Sequence, residues 1–237
     1  MTSINLSQIN YNAHWFGGIK MSEIITDITK LGGSAEIVDI RKEGELMRKT
    51  ILDLKDTIRE HNLSGLSAPQ IGVDKRIVVI NFNGDLRTFV NPIITDMKGL
   101  ELAKETCSSI PGKTFIRPRN NQVAIAYQTP LGKVESRKLM GLAAIVFQHE
   151  LDHLDGILLP DIGLEIDETF ENATEEERQE VIDAYLESLD IKHKEINEEI
   201  ENNPELKQMS DAIDFMTKVA TGEVKVEDKK IEVKRDE

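Results

Sequence analysis

The amino-acid sequence predicts an α+β fold in which antiparallel β-sheets pack around a central helix carrying His149-Glu150-Leu151-Asp152-His153. Behind that body it predicts an acidic, mostly helical C-terminal extension. Three observations lead there. Apolar residues recur at helical spacing in two stretches of the first 160 residues, short β-type runs lie between them, and the β signals stop after Pro160. At 237 residues, with 39% hydrophobic and 30% charged side chains, the chain can bury one good core and still carry an appendage.

Residues 1–20 are polar, aromatic-poor apart from Tyr11, Trp15 and Phe16, contain Gly17-Gly18, and read as an N-terminal extension. Residues 45–62 read as a helix, because Met47, Ile51, Leu54 and Ile58 fall on one face while Lys49, Arg59 and Glu60 fill the other. The runs Arg76–Phe82, Thr88–Ile94 and Gln122–Tyr127 read as strands. The turn Thr129-Pro130-Leu131-Gly132 reverses the last of them into Lys133–Leu139. Gly141 precedes a second helix, from Leu142 to about Asp155, and Gly156 stops it. Further on, Thr174-Glu175-Glu176-Glu177 is a capping box ahead of an apolar stripe of Val181, Ile182, Tyr185, Leu186 and Leu189. Asn203-Pro204 opens another helix, with Leu206, Met209, Ile213, Met216 and Ala220 on one face and Gly222 as its stop. The division that results is 1–20, a body over 21–162, and an extension over 163–237.

The formal net charge of −14 is unevenly placed. Residues 1–160 hold 19 Lys+Arg against 18 Asp+Glu, whereas residues 161–237 hold 10 against 25, a balance of −15. An acidic tail repels phosphate backbones, which disfavours nucleic-acid binding through it. The single cysteine, Cys107, excludes an intrachain disulfide. With no run of 18 apolar residues and no apolar stretch of the export type near Met1, the expected setting is soluble and cytoplasmic.

Three short segments carry chemistry. In Gln148-His149-Glu150-Leu151-Asp152-His153 the two histidines stand four residues apart, on one helical face, where two neutral imidazoles can share a divalent metal with Glu150 beside its open position. The same letters also occur on ordinary amphipathic helices. A third ligand is needed, and the residues leave it open between Cys107 upstream and His193 or the glutamates downstream. Cys107 sits in Glu105-Thr106-Cys107-Ser108-Ser109-Ile110-Pro111-Gly112; the plain alternative for it is a buried, inert thiol. The third segment, Gly65-Leu66-Ser67-Ala68-Pro69-Gln70-Ile71-Gly72, allows close backbone approach at Gly65 and holds Gln70 beside a stiff turn. Alone, Gln70 reads as a surface turn residue.

In this order the segments Gly65–Gln70, Glu105–Ser109 and Gln148–His153 resemble the three signature motifs of peptide deformylases, and the resemblance spans about residues 21–160. It implies a metallohydrolase that removes the formyl group from N-terminal formyl-methionine of nascent polypeptides and releases formate. It implies Cys107, His149 and His153 as metal ligands, with Fe2+ the usual ion and Zn2+, Ni2+ or Co2+ as substitutes. Glu150 is implied as the general base, and the Gln70 amide with the Ser108 backbone N–H as donors to the developing oxyanion. Ser64 and Gly65 would pair with the substrate backbone, and Leu142, Ile145 and Val146 would line the methionine pocket. Glu105 would anchor its loop through an arginine such as Arg119.

The sequence departs from the family pattern at Leu63 and Thr106, where glycine is usual, and at Ser108, where leucine is common in bacterial members. Threonine enters a positive-φ conformation less cheaply than glycine, so a different loop path is expected at Thr106. Two rival readings are a zinc endopeptidase with a downstream third ligand, and a catalytically silent deformylase-like binding protein. For partners, the acidic tail argues against direct docking on ribosomal RNA, and the C-terminal helices offer a homodimer contact.

Overall fold

A computed structural model describes residues 22–202. The expectations for residues 1–20 and for a helix from Pro204 to Gly222 lie outside the described residues. Helix α1, Gly44–His61, buries Met47, Ile51, Leu54 and Ile58, the four positions its periodicity singles out. It stops at Asn62, whose left-handed backbone (φ 51°, ψ 47°) turns the chain while its N–H bonds the Ile58 carbonyl. That turn delivers β1, Gly65–Ser67, and a 3₁₀ turn, Ala68–Ile71. Strands β2 (Ile77–Phe82), β3 (Asp85–Cys107), β4 (Ile110–Gln128) and β5 (Val134–Met140) follow. Pairing is antiparallel throughout, in the order β1-β2-β3-β4-β5.

Helix α2, Leu142–Leu154, packs on one face of this sheet and α1 on the other. Strand β2 shows why. Successive side chains on a strand point to opposite faces. Val78 and Ile80 therefore join Ala144, Phe147 and Leu154 of α2, while Ile77 and Val79 join Met47, Ile51, Leu54 and Ile58 of α1. Burial on both faces is what makes β2 an unbroken apolar run rather than an alternating one. Phe89 is stacked edge-on against both Tyr127 and Phe147 and ties β3, β4 and α2 together.

The hairpin of β3 and β4 is much longer than its sequence pattern indicates. The expected strands Thr88–Ile94 and Gln122–Tyr127 are only its base, and pairing continues to Thr106↔Thr114 and Cys107↔Ile110. Met97, Leu100 and Leu102 in its outer part are exposed. Backbone pairing rather than burial holds that part, so no hydrophobic alternation marks it. This correction matters, since Cys107 is the last residue of a strand and not a loop residue.

Past Gly156 come α3 (Leu159–Ile162), β6 (Leu164–Ile166), α4 (Glu168–Asn172) and α5 (Glu175–Asn202). Strand β6 pairs with Thr114–Ile116 of β4, a stretch whose outer edge β5 does not reach. Thr174 and Glu177 exchange the two hydrogen bonds of a capping box at the start of α5. The stripe behind it is only partly covered: Tyr185 donates its hydroxyl to the Ile162 carbonyl at 2.6 Å, while Val181 and Leu186 stay exposed. No described helix is long and apolar enough to cross a membrane.

Candidate metal centre and active site

The fold joins the three motifs at one cavity of about 390 Å3. Ser64, Gly65, Gln70, Cys107, Ser108, Leu142, Ile145, Val146, His149 and Glu150 all face it, and His153 is buried close by against the Cys107 sulfur. Each side chain has a local reason to be there. One turn of α2 separates His149 from His153, and their rings meet edge to face with centroids 5.0 Å apart. The close end of the β3–β4 hairpin brings Cys107 to them: its Sγ lies 3.2 Å from His153 Nε2 although the two residues are 46 positions apart. Strand β1 crosses so near to α2 that a Cβ on Gly65 would stand 2.7 Å from Val146 Cγ1 and 3.0 Å from Glu150 Oε1. Only glycine fits that crossing.

Gln70 is a buried residue, 1% exposed, and not the surface turn residue it resembles in isolation. Its amide orientation is fixed chemically. Oε1 accepts from the Ser67 backbone N–H and from the Ser67 hydroxyl, both at 2.9 Å. Two donors on one atom make it the carbonyl oxygen, so Nε2 points the other way, to Ser109 Oγ at 3.3 Å and Cys107 Sγ at 3.8 Å. Ser67 and Ser109, both fully buried, are functional supports that reading the motifs missed. The Ser67-x-x-Gln70 spacing was the signal for the first, a capping box at the start of the 3₁₀ turn.

Cys107, His149 and His153 fit a metal ion. Their ligand atoms all lie within 4.8 Å of one another, and all three are buried. Ligands at about 2.3 Å (S) and 2.0–2.1 Å (N) from a tetrahedral ion stand roughly 3.5 Å apart, close to the sulfur–nitrogen separation here. Among the described residues this is the one such His/Cys/Asp/Glu group, so no described downstream carboxylate completes an endopeptidase site. His149 directs Nδ1 at Glu105 Oε2, 2.8 Å away, the usual partner of a ligating imidazole whose other nitrogen faces the ion. The two imidazoles differ in their electrostatics. Burial, then neighbouring His149, push His153 down to about 3, which keeps it in the neutral form that ligates. Burial also opposes charge on His149, but its hydrogen bonds to Cys107 and Glu105 carry it up to about 10.

Glu150 is buried, and desolvation pushes its carboxyl up to about 7 against the pull of His149. Its Oε2 has no partner among the described residues. A buried polar atom without a partner is costly, and one facing a cavity is available to a substrate or a water. Glu105 is opposite in character. Burial works against its charge, but hydrogen bonds from His149 and Arg119 outweigh that and hold it at about 2. Arg119 grips it with two bonds, Nε to Oε1 at 2.6 Å and Nη2 to Oε2 at 3.0 Å, as the sequence reading expects. Asp152 and Arg117, which that reading passed over, extend this network.

The departures from the family pattern are accommodated. Leu63 packs against the α1 core, with the left-handed turn made one residue earlier by Asn62. Thr106 pairs with Thr114 and has no positive φ, and the register of β3 and β4 shifts between Thr106 and Cys107.

Comparison with known proteins agrees with this geometry. A family model described as polypeptide deformylase matches residues 27–165. The peptide deformylase of Dictyoglomus turgidum is 34% identical over 145 residues, covering 60% of this chain and 95% of that protein. That of Thermodesulfovibrio yellowstonii is 40% identical over 120 residues, 48% of this chain and 73% of its own. The crystal structure of peptide deformylase from Thermotoga maritima superposes with a TM-score of 0.55 at 30% identity, over 60% of this chain and 97% of that one. A peptide deformylase from Synechococcus elongatus in complex with actinonin gives 0.56 at 30% identity, over 62% and 83%. With its mixed helical and antiparallel architecture, a family model matched over more than half of the chain and 95% of the Dictyoglomus turgidum relative covered, the chain belongs to the polypeptide deformylase family.

Proposed function

We propose that this chain removes the formyl group from N-terminal formyl-methionine of nascent polypeptides, with Cys107, His149 and His153 holding the metal and Glu150 moving the proton. The activity is that of its family, a metal-dependent hydrolysis of a formamide bond. The observation that carries the assignment of roles is the meeting of a Cys/His/His ligand set, a buried carboxylate with one oxygen unpartnered among the described residues, and an oriented amide donor in one cavity. When bound, the ion supplies a Lewis acid that polarises the formyl carbonyl and acidifies a water.

The protein's own residues do the rest. Glu150, held near about 7, can take a proton at neutral pH and return it to the departing amine, so that formamide and water become formate and a free N-terminus. Gln70 Nε2 and the Ser108 backbone N–H donate to the oxygen on which negative charge develops; one such donor is typically worth about 2.7–4 kcal/mol. The free edge of β1, with Ser64 and Gly65, pairs with the substrate backbone, since β1 has β2 as its only strand neighbour among the described residues. Leu142, Ile145 and Val146 form the apolar wall for the methionine side chain.

In this reading Fe2+ is the resident ion, with Zn2+, Ni2+ or Co2+ able to replace it, because ligation by two imidazole nitrogens and one thiolate sulfur suits several metals. The H-E-x-x-H helix is the centre of a catalytic domain over residues 21–162, and residues 163–237 are an acidic extension. The substrate places the enzyme in the cytoplasm. The charge of the extension argues against docking on ribosomal RNA, and its helices are a candidate homodimer contact. The test is formate release from a formyl-Met tripeptide by anaerobically prepared, metal-loaded protein beside Glu150→Gln. Turnover in the parent and its loss in the variant support the reading. Metal-replete parent protein no faster than the variant refutes it.

A further inference from the structure

The metal cluster is backed by a chain of charges that runs from His149 to the protein surface. Glu105 accepts from His149 Nδ1 and is gripped at both oxygens by Arg119, which is 3% exposed. Arg119 Nη1 also donates to Asp152 Oδ2 at 2.7 Å, and the same oxygen accepts from Arg117 Nη1. Arg117 and Arg119 alternate with Pro118 along β4 and so share one face of the strand, turned towards α2. Asp152 sits between the two ligands in sequence, on the helix that bears them.

The charges explain why two arginines are present. Glu105 and Asp152 are two carboxylates; Arg119 alone would leave the buried group one negative charge in excess. Arg117 brings the sum to zero. Without it, Asp152 and Glu105 compete for a single guanidinium, and the two-point grip that orients Glu105 is shared out. Strand β6 buttresses β4 immediately beside this point, at Thr114–Ile116. Tyr185 of α5 is tied to the Ile162 carbonyl.

We propose that Arg117 is a positioning residue for the metal site, acting through Asp152 and Arg119 to fix the Glu105 carboxylate that orients His149. The inference rests on the metal reading of His149 given above. Arg117 touches neither substrate nor ion. Outer partners of metal ligands are worth about 10–100-fold in metal affinity or activity, and Arg117, three contacts further out than Glu105, belongs at the lower end.

The test uses full-length protein loaded with Co2+, whose thiolate absorption reports the Cys107 bond, and follows release of the ion to an excess of chelator. Arg117→Leu is expected to release Co2+ about tenfold faster and to lower kcat with KM within about twofold. Arg117→Lys, which keeps the charge, is expected to recover most of the loss. Should the leucine variant not fold, Arg117→Gln replaces it. A folded Leu or Gln variant that holds Co2+ as long as the parent overturns the proposal, as does a folded Lys variant no better than Leu. Failure of the underlying site reading looks different: the parent itself then shows no thiolate absorption, and Cys107→Ser leaves its spectrum unchanged.

Discussion

Replacing Gln70 by leucine tests the mechanism and the packing together. The side chain makes two separable sets of bonds. Through Nε2 it offers the site a donor, and losing one oxyanion donor typically costs about 2.7–4 kcal/mol, or 10²–10³ in kcat. Through Oε1 it satisfies the Ser67 backbone N–H and hydroxyl, and Nε2 also satisfies Ser109, all inside the protein. Leucine leaves these buried groups unpaired. At about 1–3 kcal/mol for each one that cannot find water or rotate to another acceptor, a stability loss of about 2–4 kcal/mol follows. The companion variant Ser67→Ala removes one of the two donors that fix the amide and keeps Nε2, so its kcat should fall by much less than that of Gln70→Leu. Formate release with a coupled dehydrogenase gives kcat and KM, and urea unfolding of the same samples gives stability. A Gln70→Leu protein with kcat within about threefold of the parent refutes the donor role, whatever its stability.

Gly65→Ala places a methyl 2.7 Å from Val146 Cγ1, so β1 or α2 must shift; thermal unfolding should fall and kcat with it, and adding Val146→Ala should restore both in part. Arg119→Met takes both guanidinium bonds from the buried Glu105 and leaves the half-buried Asp152 to Arg117 alone, and urea unfolding should show a loss of about 3–5 kcal/mol, far more than for an exposed pair such as Arg59–Asp56. The acid limb of stability follows from Glu105, whose folded carboxyl at about 2 lies below its ordinary 4.5. A depressed carboxyl contributes fully above the ordinary value, and the contribution fades as pH falls from about 4.5 through about 2. Urea midpoints measured from pH 6 down to 3 should therefore drop more steeply for the parent than for Glu105→Gln.

What was legible in the sequence is what neighbours along the chain decide. The apolar face of α1, the capping box of α5, the stop at Gly156 and the shared face of His149 and His153 all depend on residues three to seven positions apart, within a turn or two of helix. The motifs added the ligand set through resemblance. The outer β3–β4 hairpin was illegible for a specific reason: its pairing is made by backbone groups, and exposed Met97, Leu100 and Leu102 give it no alternating signature.

Only the tertiary structure decided which way the Gln70 amide points, because that depends on two donors from Ser67 and on an acceptor contributed by Ser109 from the far end of the hairpin. The same holds for the Glu105–Arg119–Asp152–Arg117 network, whose members come from β3, β4 and α2. By itself the sequence determined α1, α2 and the start of α5, the two imidazoles on one face and, by its motifs, the family. Register between distant strands decided the distance from Cys107 to His153 and the charges that stand behind the metal ligands, since spacing along a chain constrains near neighbours and long-range contacts arise only when strands pair.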